Sequence, residues 1–298
     1  MTQISNQKLY DYNRQGFIPG PGESDKDYIE RVEYCCNLRQ HLKGKLPFGE
    51  KAEASQEKIE PGIERASLLF DIRPDWIPVF LSDHKLPPWH AACAWIFQIE
   101  EKHPTAAIIQ LRKKSWVDSD EAIAHEMCHA AKMTFGEDRY EEIFAYQTSK
   151  AGWRRIFGPI IERPMESNLF VILVGLMILV DFFALRSERL IELILWSKLF
   201  VLIPIGWACI RLFRKWRFFN KALKNAEKIS DKPLALLFRL SGTEIEKAAK
   251  SSPEKLVDSI LTELKGTLRG RILASYLCTL SHEHSIPHAF RPLQTVLE

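Results

Sequence analysis

The chain has almost no charge imbalance. Across its 298 residues, 41 Lys and Arg stand against 38 Asp and Glu, a net charge of +3. So small a surplus gives nucleic acid no electrostatic footprint. No basic tract with interleaved aromatics appears either, so no nucleic-acid partner is expected. A Gly-rich phosphate loop is missing, which removes the usual nucleotide cradle. The six cysteines (Cys35, Cys36, Cys93, Cys128, Cys209, Cys278) follow neither a metal-knuckle nor a disulfide-framework spacing. Reduced thiols, and so a cytosolic setting for most of the chain, are expected. Residues 1–8 lack an apolar core, so no cleavable signal peptide is expected. No internal repeat is present, which excludes a solenoid.

Long apolar runs are not lacking. Residues 169–185 are apolar except for Gly175 and Asp181, and 191–210 form a second run. The second is interrupted by Glu192, Ser197, Lys198, Pro204 and Gly206. Each approaches the roughly 20 residues needed to cross a bilayer core. The link between them is very short, so the pair reads as a transmembrane helical hairpin with the lipid bilayer as partner. Lys150, Arg154, Arg155 and Arg163 precede it, and Arg211, Arg214, Lys215, Arg217, Lys221 and Lys224 follow. Positive residues stay inside, which predicts both termini and the bulk of the chain on the cytoplasmic face. Asp181 lies about one turn nearer the link than Lys198, within reach of a long lysine side chain.

The chemistry sits elsewhere, at His125-Glu126-Met127-Cys128-His129. On a helix, residues four apart share a face, so His125 and His129 can bind one metal ion together. Glu126 lies one position round the helix, beside a water on that metal. Two neutral imidazoles, an open position and a nearby base are what a hydrolytic Zn2+ site requires. The spacing predicts a helix over 118–135, capped by Asp118 or Ser119, with Glu121 completing a capping box. Gly136 suits its C-terminus. A third ligand is expected from the helical stretch 137–146, where Glu141 and Glu142 point about 100° apart, so only one faces the metal.

At this point the sequence resembles the glutamate-type zincins, or gluzincins. These follow H-E-x-x-H with a second helix carrying E-x-x-A, here Glu142-Ile143-Phe144-Ala145. The resemblance implies that Glu142 is the third zinc ligand and that small Ala145 lets the two helices pack closely. The membrane-bound CAAX prenyl proteases and their bacterial heat-shock relatives look similar here; they usually place an aspartate after the alanine, where this chain has Tyr146. The likeness covers roughly residues 105–150. It implies a zinc metallopeptidase acting on a peptide or protein substrate, with Glu126 as general base. In zincins an edge strand borders the cleft, and the run 106–112 is the candidate for it.

Around that centre, runs at 76–81, 91–99 and 106–112 read as strands, the first an edge strand because of Pro78. The region 52–70 reads as helix broken at Pro61-Gly62. The expected fold is α+β, mainly α, in four parts: a loosely held arm over 1–22, a zincin-like domain over 23–165, the hairpin over 166–212 and a helical region over 213–298. Tyr140, Tyr146, His90, His103 and Arg139 are candidates to stabilise an oxyanion. The tail 282–288 holds three histidines, which could form a second metal site but more often mark a solvated segment. Two other classes fit the same residues: a catalytically inactive zinc-binding membrane scaffold or adaptor, and a hairpin-anchored interaction protein with a chance motif.

Overall fold

The computed structural model describes residues 4–46, 53–100, 103–115, 117–136, 139–161, 164–185 and 191–278. The fold is α+β and mainly α, with one small sheet. The chain opens with α1 (Asn6–Arg14), α2 (Asp25–Cys36), α3 (Leu38–His41) and α4 (Gln56–Phe70). Then come β1 (Val79–Leu81), β2 (Ala92–Phe97) and β3 (Ala106–Leu111). The helices α5 (Ser119–Ala131), α6 (Glu141–Gln147) and α7 (Gly152–Phe157) follow, and a single 3-10 turn at Gly158–Ile160 leads into α8 (Pro164–Ala184) and α9 (Ile191–Ala226). Four short helices close the described chain: α10 (Pro233–Phe238), α11 (Gly242–Lys250), α12 (Pro253–Thr262) and α13 (Leu268–Ser275).

The sheet order is β1-β3-β2, with β1 parallel and β2 antiparallel to β3. The run 106–112 is therefore the central strand, not the edge expected to border a cleft. All six residues of β3 are buried, as a strand covered on both faces and both sides must be. The edge beside the H-E-x-x-H helix is β2. Arg112 N–H donates to Ala91 O, while Ala94 N–H donates away from the sheet to Glu126. Alternation then turns the backbone groups of Ala92, Ala94 and Ile96 outward.

Pro61 and Gly62 do not break α4, which runs through both. A Cβ on Gly62 would lie 2.6 Å from Ile123 Cγ2, so the glycine lets α4 lie directly on α5. That packing offsets the backbone hydrogen bond lost at Pro61. The segment 4–22 is not a loose arm either. It forms α1 and buries Leu9, Phe17 and Ile18, with Phe17 stacked on Trp76 at 4.6 Å.

Two apolar cores lie on either side of α5. One joins α1, α2 and the sheet to Ile123 and Met127. The other joins Cys128, Ala131 and Phe144 to Phe219 on α9 and to α10–α13. The C-terminal helices are thus one body with the H-E-x-x-H helix rather than a separate region. Buried Lys132, at the end of α5, donates to Phe238 O and Leu240 O. Buried Arg239 donates to Asn13 Oδ1, Phe70 O and Ala235 O, joining α1 and α4 to α10.

The stretches Met165–Ala184 and Trp196–Ala226 are long and apolar enough to cross a membrane. Only 6% and 11% of their most apolar windows are buried, so neither packs into the chain's own core. The second is longer than the sequence reading: α9 continues unbroken through the basic cluster for 36 residues, about 54 Å. Its lower half is the part that enters the second core. Asp181 accepts a hydrogen bond from Ser197 Oγ at 3.2 Å, so the polar pair across the hairpin is Ser197–Asp181 rather than Lys198–Asp181. The link residues Arg186 to Arg189, Arg163 and the tail 282–288 fall outside the described residues.

Candidate metal centre

Helix α5 begins after Asp118 without a side-chain cap, so the expected capping box is absent. Glu121 turns instead to the segment after α6. It accepts from Ser149 Oγ at 3.0 Å, Lys150 N–H at 2.8 Å and Arg154 Nη1 at 2.8 Å. These bonds clamp the start of α5 to the chain beyond α6. Helix α5 ends at Ala131, and Gly136 takes up φ +66° in the turn that follows. Only a residue without a Cβ adopts that conformation freely, and it sends the chain back along α5 as α6. Phe144 and Ala145 pack inward, fully buried.

His125, His129 and Glu142 converge: each offers one ligand atom, all within 4.8 Å of one another. His129 Nε2 lies 3.3 Å from His125 Nε2 and 3.6 Å from Glu142 Oε1, and His125 Nε2 lies 3.8 Å from Glu142 Oε2. Tetrahedral zinc with bonds of about 2.0–2.1 Å places its ligand atoms about 3.3–3.4 Å apart. The separation of the two Nε2 atoms matches such an ion, and Glu142 turns one oxygen toward each ring, so the three residues could hold a metal ion together.

The outer hydrogen bonds point the same way. His129 Nδ1 lies 2.6 Å from Glu141 Oε1. With its Nδ1 proton given to Glu141, His129 turns its Nε2 lone pair toward His125 and the Glu142 carboxylate. Three electron-rich atoms in one enclosed spot require a positive charge between them. A proton meets the same demand: against the cost of burial, Glu141, Glu142 and Glu126 push His129 up to about 10. His125 is held well below the usual histidine range, first by burial and then by the charge of His129. The donor set is that of a cation site.

Glu126 stands beside the cluster. Its Oε2 accepts from Ala94 N–H at 2.7 Å, so the outer edge of β2 fixes the carboxylate. Burial raises its pKa above the ordinary range, while His129 and the Ala94 amide pull it back in part. Of the five oxyanion candidates, only Tyr146 is placed against the ligands; its ring meets His125 edge-on at 4.8 Å. A Cβ on Gly158 would lie 2.2 Å from Tyr146 Cδ1, so Gly158 makes the niche for that ring. Tyr140 is buried and stacked on Phe219. Arg139 pairs with Glu246, His103 stacks on Tyr34, and the His90 carbonyl accepts from Arg112.

The backbone group that fixes Glu126, Ala94 N–H, carries no residue-type signal and was invisible in the sequence. Alternation over β2 could have exposed it, had the edge position of that strand been known. The chain matches no family model, no curated protein and no solved structure, so its chemistry rests on this geometry.

Proposed function

We propose that the protein is a zinc-dependent metallopeptidase anchored in a membrane by α8 and α9. The observation that carries the reading is the convergence of His125, His129 and Glu142 within 4.8 Å, with Glu126 fixed beside them by β2. His125, His129 and Glu142 would hold the ion, and Glu141 orients the His129 ring. Zinc in such a site supplies a Lewis acid and lowers the pKa of a water toward about 7. Glu126 is the proton carrier. Its carboxylate takes a proton during attack on the scissile carbonyl and returns it to the leaving amine. Burial makes that carboxylate more basic than one in water, which favours the first transfer.

The outward backbone groups of Ala92 and Ile96, on either side of the Ala94 N–H that Glu126 occupies, offer an edge to which an extended peptide can add. The Glu126 contact with Ala94 places the general base at that edge, so a peptide docked there lies beside the cluster. The motif, the third acid on a second helix and the edge strand together support the likeness to gluzincins.

The basic residues flanking the two spans support a cytoplasmic catalytic body with both ends of the chain on that side. Metal analysis and a Glu126→Gln variant test the reading. Purified protein should hold about one zinc per chain. Glu126→Gln should keep the zinc and lose hydrolysis of a mixed peptide pool by about 100- to 10,000-fold. Zinc with equal hydrolysis, or none, in both proteins would leave the inactive scaffold as the better account.

A further inference from the structure

A cavity of about 400 Å³ lies where α9 leaves its apolar stretch. Among the described residues, Arg139, Arg211, Arg214 and Lys215 line it together with Glu166 and Glu246, a surplus of two positive charges. Trp207 and Ile210 form its other wall, and both are more than half exposed. Positions 207, 211, 214, 215 and 218 share one face of α9. That face passes from apolar to basic within two turns, the profile of a helix leaving hydrocarbon for headgroups.

The neighbouring surface continues the apolar side. Trp153, Ile156, Phe157, Ile161 and Met165 are exposed on α7 and the segment leading into α8. They run directly into the exposed leucines, valines and isoleucines of α8. An apolar belt next to a basic pocket is built for an amphiphile: chains along the belt, an anion in the pocket.

The pocket is a made structure rather than a loose set of lysines. Arg211 binds Glu166 with both ends of its guanidinium, at 2.5 and 2.8 Å, and also donates to Ile160 O at 2.9 Å. These bonds hold α8, α9 and the turn before α8 in register. Lys215 Nζ donates to Arg139 O at 2.6 Å and fixes the fourth wall. Arg214 is exposed at the rim, where its charge faces an incoming ligand.

We propose that this cavity binds the phosphate headgroup of an anionic membrane lipid, with Arg214 and Lys215 as the principal charges. The proposal rests on the membrane reading of α8 and α9, and the test separates the two. Full-length protein in detergent is titrated with short-chain phosphatidylglycerol, phosphatidylcholine or inorganic phosphate, and retained ligand is counted by native mass spectrometry. The expected result is a preference for phosphatidylglycerol over both others. An Arg214→Gln, Lys215→Gln double variant should lose about 25-fold in that binding, at about fivefold per charge.

Arg139 and Tyr140 directly precede Glu141 and Glu142, so unchanged zinc content shows that the variant remains folded. Equal binding of the two lipids, undiminished binding in the folded variant, or inorganic phosphate bound as tightly as the lipid would each overturn the lipid site. Carbonate extraction of membranes is run beside it. A chain that stays in the membrane without lipid preference refutes the cavity alone; a chain that is washed off refutes the membrane reading and this site together.

Discussion

Glu141 Oε1 lies 2.6 Å from His129 Nδ1 on the side of the ring away from His125 and Glu142. Adjacent acids on one short helix thus have different places: Glu142 turns its oxygens to the cluster, and Glu141 holds the His129 ring from behind. The approximately 100° between neighbours on a helix makes the division possible.

From that division follows a ranking of metal affinities. Glu142→Ala should lower zinc affinity the most, since it leaves two histidines alone. Glu141→Ala should cost about 10- to 100-fold, the range for a group that orients a ligand. Glu141→Gln should fall below both, because its amide oxygen can still accept from His129. Competition with a chelator of known affinity gives all three values; a greater loss in Glu141→Ala than in Glu142→Ala would reverse the assignment.

Gly158 is a steric prediction. Its backbone lies at φ −51°, which any residue adopts, so a side chain costs only what it displaces. What it displaces is the Tyr146 ring, 2.2 Å from the added Cβ. Gly158→Ala should destabilise by about 1–3 kcal/mol, the usual cost of overpacking. Removing the ring as well, in a Gly158→Ala, Tyr146→Ala double variant, should restore part of that loss beyond the additive expectation. Additive denaturation energies would mean that the ring and the glycine do not constrain each other.

Asp71 sets an acid limit on stability. It sits at φ 56° after α4, bonded to Lys232 Nζ at 2.6 Å and Tyr276 Oη at 2.8 Å. Burial works to raise its pKa, but these two bonds and the charges of Lys232 and Arg239 together outweigh it, and the carboxyl is held below the usual aspartate range. A depressed folded pKa means the contribution is complete above the unfolded value, near about 3.9, and disappears as pH falls through the folded value. Asp71→Asn tolerates the left-handed backbone but removes the charge and one of the two acceptor oxygens. Its destabilisation relative to wild type should be present at neutral pH and shrink below about pH 4. A pH-independent difference in denaturation midpoint would contradict the linkage.

The mainly helical α+β class and the convergence of His125, His129 and Glu142 were legible in the sequence, because a helix converts spacing into direction. Strand order has no such rule. The run 106–112 was read as an edge because it precedes the H-E-x-x-H helix. Its unbroken Ala106-Ala107-Ile108-Ile109 already pointed to a strand covered on both faces. The arm over 1–22 looked loose because polar residues outnumber apolar ones there. Three anchors, Leu9, Phe17 and Ile18, suffice to bury it. Pro61 looked like a break because the partner that compensates it, Ile123, lies far along the chain.

The outer edge of β2 gives the most specific test of the catalytic reading. Ala94 N–H takes no part in the sheet, since its one acceptor is Glu126 Oε2 at 2.7 Å. Proline at an edge position, with its missing donor facing away from the ladder, is tolerated in sheets. Ala94→Pro therefore deletes the hydrogen bond to Glu126 while the pairing of β2 with β3 survives. The cluster of His125, His129 and Glu142 draws nothing from Ala94, so zinc content should be unchanged. The general base, though, loses the bond that fixes its rotamer, and hydrolysis should fall by about 10- to 100-fold if positioning of that carboxylate limits the rate. Ala94→Gly keeps the N–H and serves as the control for the strand; it should retain most of the activity. Equal losses in the two variants would show that β2 matters only as a strand, and the Ala94–Glu126 bond would then have no part in catalysis.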